Sequence, residues 1–137
     1  MNWGLPMLKT VTSWLAATTA AFVLIPLMQP VAAQSYVESE EVALIFCSYV
    51  RDNHTVRLQR KLRDLRIRLR DVYAHIRCND ATLIQFAVKN NANDIGSFIA
   101  RSVSADVIEK AGDYRWLREQ NLLQTPIGEA LAPRFQN

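Results

Sequence analysis

The sequence predicts an all-α fold: a small bundle of about four to six helices, with one long basic amphipathic helix, preceded by a signal peptide. Three observations predict it. Apolar residues between Leu58 and Ile76 recur every three or four positions, the period of a helix. Ser39, Thr55, Asn93 and Ser104 stand where helices open, and Asn53, Asn79-Asp80, Asn90-Asn91 and Gly112 stand where they close. The chain has 137 residues, half of them apolar and 21% charged, which is enough for one core and excludes a wholly disordered chain. Four glycines and five prolines exclude collagen-like and low-complexity classes.

The first element is the export signal, residues 1–33. Lys9 and the free amine form a short positive region, no charge interrupts Val11 to Met28, and Val31-Ala32-Ala33 places small residues before Gln34. The alternative is an anchor retained in the membrane, because about 18 apolar residues nearly span a bilayer. Pro26, Pro30 and the Val-x-Ala site favour cleavage after Ala33 and a periplasmic or secreted product with no stable membrane span. Removing these residues takes only Lys9 among the charges, leaving 15 basic and 13 acidic residues, a net charge of +2. Both cysteines remain. Cys47 and Cys78 in an exported chain point to one disulfide, the alternative being two separate buried thiols.

The helical domain is placed at 34–121 and a loosely ordered tail at 122–137, where Pro126, Gly128 and Pro133 argue against packing. The first helix is read from Ser39 to Asp52, carrying Val42, Phe46, Tyr49 and Val50 at helical spacing. The second is read from Thr55 to about Ile76, with Leu58, Leu62, Leu65, Leu69, Val72 and Ile76 on one face. Two shorter helices follow, about Thr82–Asn90 and Asp94–Ser102. The first of these is apolar nearly all round and therefore expected to be central. Another runs from Ser104 to Ala111 and stops at Gly112, and Asp113 starts a turn with Tyr114, Trp116 and Leu117.

The second helix is unusual in charge. Residues 51–77 hold nine basic residues, eight of them arginine, against three aspartates. Arg63, Arg66, Arg70 and Arg77 fall on one side of a helical wheel, flanked by Arg60. Arginine presents a planar fork suited to carboxylate or phosphate. The plainer reading is a solvated face, with Asp64 and Asp71 pairing to Lys61 and Arg68.

Two resemblances follow. Asn79 to Ile95, with Thr82 before an apolar pair, Phe86-Ala87 and the Asn90-Asn91 turn, resembles a single ankyrin-type helix pair; it occurs once, which excludes a stacked array. More widely, Cys47, Arg57-Leu58, the Leu-Arg-Ile-Arg-Leu-Arg run at 65–70, Val72-Tyr73, Cys78-Asn79, Leu83, Phe86-Ala87 and Asn90-Asn91-Ala92 resemble an exported gammaproteobacterial family of unknown function, domain of unknown function 3718. The resemblance spans about 42–103, and Asp80 stands where that family has glycine. It implies export and a small helical domain, and no activity.

Catalytic signals are sparse. There are two histidines, His54 and His75, and no nucleophile elbow, phosphate-binding glycine loop or His-Glu-x-x-His. Cys47, His54, His75 and Cys78 contain ligand types for zinc, but not at zinc-finger spacing, so no metal and no cofactor is expected. The expected function is a binding module whose arginine face meets an acidic envelope protein or the anionic envelope surface. The alternative is a small hydrolase-like enzyme with a scattered site. Nucleic acid fits the charge but not the compartment.

Overall fold

The computed structural model describes residues 32–136, with side chains from Glu40 onward. Its elements are α1 (Ala32–Arg51), α2 (Thr55–Leu65), α3 (Leu69–Val72) running into a 3₁₀ turn (Tyr73–His75), α4 (Leu83–Lys89), α5 (Asn93–Ser102), α6 (Ala105–Ala111), α7 (Asp113–Glu119), α8 (Pro126–Leu131) and a closing 3₁₀ turn (Ala132–Arg134). The described residues are therefore all-α, in more and shorter helices than the four to six expected. The expected export signal lies outside the described residues except for Ala32 and Ala33. Those two open α1, so Ser39 is interior to that helix and does not cap it.

The expected long helix is broken. Arg66 adopts a left-handed conformation, φ 54°, at the end of α2. Its N–H donates to the Arg63 carbonyl at 3.0 Å, and the Ile67 N–H reaches back to Leu62 at 3.1 Å, the paired bonds of a Schellman closure. A straight helix from Thr55 to Ile76 would be about 33 Å long. The break folds that length back, so Leu69, Tyr73 and Ile76 join Leu58 and Leu62 in one core. The expected buried stripe fails at Leu65, which is 37% exposed at the end of α2.

Asparagine makes most of the other stops. Asn53, Asn79, Asn91 and Asn121 all have positive φ, as do Asp80 and Gly112. Asparagine and aspartate reach this region more readily than other side chains. Asn79 and Asp80 form a two-residue reversal in which Cys78 and Ala81 exchange both backbone hydrogen bonds, at 2.9 and 3.1 Å. Two successive left-handed residues make this a tight primed turn, with aspartate where glycine is usual.

The central helix is α5 rather than α4. It packs on α2, α3, α4 and α8, and buries Ile95, Ile99 and Ala100. Its side towards α8 is small: a Cβ on Gly96 would lie 2.3 Å from Ile127 Cδ1, so only glycine admits α8 this close. Ser97 Oγ donates to the Pro126 carbonyl at 3.1 Å.

The tail expected to be loose is packed as well. Thr125 Oγ1 accepts from the Gly128 N–H at 3.2 Å, and Pro126 occupies the first turn, where a missing N–H costs nothing. Ile127 and Leu131 are fully buried. Arg134 donates to the carbonyls of Ala100 (2.5 Å) and Val103 (2.7 Å), placing a cation at the C-terminal end of α5. Pro126 thus starts a helix, and Gly128 allows a close approach to the Leu122–Leu123 backbone.

Candidate functional site

The arginine-rich segment divides by structure into paired and unpaired cations. Arg51 meets Asp52 at 2.9 Å, Arg68 meets Asp71 at 2.8 Å, and Arg70 lies 3.7 Å from the same Asp71. These pairs are exposed and contribute little to stability. The Arg51 guanidinium holds the Asp52 carboxyl below its ordinary range, chiefly through their hydrogen bond. Among the described residues, no carboxylate lies within ion-pair distance of the other six basic residues of the segment, Arg57, Arg60, Lys61, Arg63, Arg66 and Arg77.

The four arginines expected on one helix face do not share one. Arg63 is in the last turn of α2, Arg66 is its left-handed terminus, Arg70 is on α3, and Arg77 lies in the extended stretch before Cys78. All four are exposed, but the end of α2 at Leu65 separates their directions. The structure instead groups Arg57 and Arg60. They stand between two shallow open depressions, one lined also by Tyr49, Lys61 and Asp64, the other by Asn53, His54, Thr55, Val56 and Asp94. Leu58 and Leu62 face inward, which turns Arg57, Arg60 and Arg63 outward at helical spacing. The sequence places Arg60 only on the flank of the arginine face and Arg57 only within the basic run, because the wheel is laid over a helix twice as long as α2.

A second constellation escaped sequence reading entirely. Asp113, at the start of α7, is 0% exposed. Tyr73 donates its hydroxyl proton to Asp113 Oδ2 at 2.5 Å, and Thr82 donates to Oδ1 at 2.6 Å. Thr82 also caps α4, accepting from the Gln85 N–H at 3.1 Å. Burial raises the Asp113 carboxyl above its ordinary range, against the pull of the two hydroxyls and of the Arg77 charge. Burial also pushes the Tyr73 hydroxyl well up, with the Asp113 charge adding to it. The knot ties the 3₁₀ turn, α4 and α7 together. With both carboxylate oxygens engaged and no exposed surface, it acts as a structural joint and does not receive a substrate.

Cys47 and Cys78 are brought together as a disulfide, Cα–Cα 5.6 Å, that fastens α1 to the Asn79-Asp80 turn. Their sulfurs are thereby unavailable as metal ligands. His54 and His75 are both exposed, one at the head of α2 and one in the 3₁₀ turn. Among the described residues, no three His, Cys, Asp or Glu side chains cluster closely enough to hold a metal ion.

Residues 46–109 match the model of a family described as a protein of unknown function (DUF3718). No curated protein and no solved structure matches the chain.

Proposed function

Residues 46–109 match the model of a family of proteins of unknown function, and from that likeness we propose that this chain is an exported, disulfide-fastened helical module that docks on an anionic partner through exposed arginines. One observation carries the reading: among the described residues, six of the nine basic residues in 51–77 have no carboxylate within ion-pair distance, and all but the half-buried Lys61 among them are exposed. A surface that only needed solvation would do as well with lysine. Arginine, which makes up eight of the nine, adds forked donors that grip carboxylate or phosphate. Export is supported by the layout of residues 1–33 and by the Cys47–Cys78 pair, which an oxidising compartment sustains.

Two measurements test the proposal. Intact mass of the product recovered from the periplasm or medium should correspond to a chain beginning at Gln34; a full-length product confined to membranes overturns export. Retention of the protein on a whole envelope fraction, membranes and proteins together, should fall with added salt and fall again in Arg63→Glu with Arg66→Glu. Retention that ignores both salt and substitution overturns the docking reading.

A further inference from the structure

We propose that the anionic partner is a phosphate-bearing lipid surface and that the outward face of α2, built from Val56, Arg57, Arg60 and Arg63, is what meets it. The inference rests on the docking reading above and gives it an occupant. The face is a row rather than a cleft. Val56, Arg60 and Arg63 follow one another at four and three residues along the helix, with Arg57 beside them. An 11-residue helix is about 16 Å long, so its cations are offered side by side along a line. That arrangement suits a plane of head groups, whereas a single carboxylate or phosphate group would be held better by converging donors. The depressions beside Arg57 and Arg60 are shallow and open, with no enclosed bottom in which an isolated anion would lose its water.

Apolar exposure points the same way. Val56 is 62% exposed, on the same side of the helix as Arg60 and Arg63. An apolar side chain set among exposed cations places its methyl groups beside the phosphates that the cations neutralise. Two acids flank the row: Asp64, the one acid on α2, shares the Tyr49-side depression with Arg57 and Arg60, and Asp94 shares the other, yet neither lies within ion-pair distance of these arginines, so the row keeps an excess of positive charge. Among the described residues, α1 and α5 pack on α2, whose Leu58 and Leu62 are buried, and Val56, Arg57, Arg60 and Arg63 are left exposed.

The test uses the protein as purified from the expressing cell and co-sedimentation with two kinds of vesicle, phosphatidylcholine alone and phosphatidylcholine with phosphatidylglycerol. Binding should require phosphatidylglycerol and should weaken as salt rises. Arg57→Glu with Arg60→Glu reverses two charges and should weaken partitioning at least tenfold. Both residues are exposed and unpaired, so the thermal midpoint should hold, and a midpoint that collapses disqualifies that variant in favour of Arg60→Gln alone, which should still weaken binding severalfold. Arg115→Glu with Arg118→Glu, on α7, should bind as the unaltered protein does. Equal binding to both vesicles, or binding indifferent to Arg57 and Arg60, overturns the lipid proposal. If vesicles are not bound while retention on envelope protein still depends on the same arginines, the partner is an acidic protein: the lipid inference falls and the docking reading stands. If neither depends on them, both fall.

Discussion

Asp113 is held with a raised carboxyl and Arg66 in a left-handed backbone, neither of them ordinary for its residue type. Burial raises the Asp113 carboxyl, so between its ordinary and its raised value the native chain binds a proton that the unfolded chain has released. Stability therefore falls as pH climbs through that interval, and the loss is complete above it. Asp113→Asn removes this titration. Urea midpoints taken from about pH 4 to about pH 8 should decline for the native sequence and run flatter for the variant; equal slopes would mean that another group titrates. Arg66 pays for its left-handed backbone without the freedom of glycine or the local hydrogen bonding of asparagine. Arg66→Gly relieves about 1–2 kcal/mol of steric cost and gives back about 0.4–1 in unfolded-chain entropy, so the denaturation midpoint should rise by the equivalent of about 0.5–1 kcal/mol.

Helices in this chain are ended and joined by residues remote in sequence, which marks how far each element could be read in advance. The left-handed backbone of Asn53 stops α1, and its side chain caps α5: Oδ1 accepts from the Ile95 N–H at 3.0 Å, and Nδ2 donates to Asp94 at 3.0 Å. Asn53→Ala should cost about 1–2 kcal/mol and speed hydrogen exchange at the Ile95 amide more than at amides of α7. Sequence identified Asn53 as a stop because that role is local; its second role spans 42 residues and leaves no periodic trace. The apolar repeat from Leu58 to Ile76 correctly marked Leu58, Leu62, Leu69 and Ile76 as core, yet misjudged the backbone that carries them. Such a pattern reports which side faces inward, and a three-residue break keeps the inward side nearly in phase. Arg66 offered no sign of the break because arginine is an ordinary helix residue. The tail was misread for a related reason: Pro126 and Gly128 break helices in general, but here one starts a helix and the other fits against the Leu122–Leu123 backbone. Ile127→Ala should therefore destabilise by about 2–5 kcal/mol, a core-sized loss in a segment that composition alone would call dispensable.

Across the whole molecule, stability is shared between a core and one covalent fastening. The Cys47–Cys78 bridge closes a loop of 31 residues, and replacing both cysteines by serine should cost about 3–4 kcal/mol by the chain-entropy account, read from denaturant unfolding. The family match, 46–109, stops short of α7 and α8, although Asp113, Leu117, Ile127 and Leu131 from those helices are fully buried. A fragment cut to 46–109 should lack a folded near-ultraviolet signature, while 34–137 should retain it. The likeness to the family was legible in the cysteines, the arginine run and the asparagine turns. The Tyr73–Asp113–Thr82 joint and the outward α2 row were not, because each depends on where a helix ends in space.

The close seating of α8 on Gly96 also constrains descent. With a Cβ there only 2.3 and 2.7 Å from two carbons of Ile127 and 3.0 Å from Ala87, positions 96 and 127 cannot drift separately. In homologous chains, alanine or serine at 96 should occur only beside a residue smaller than isoleucine at 127. Lineages that keep the glycine should leave 127 free to remain large. Gly96→Ala alone should fail where Gly96→Ala with Ile127→Val partly recovers, which would make the pair a historical coupling readable in any sufficiently deep collection of relatives.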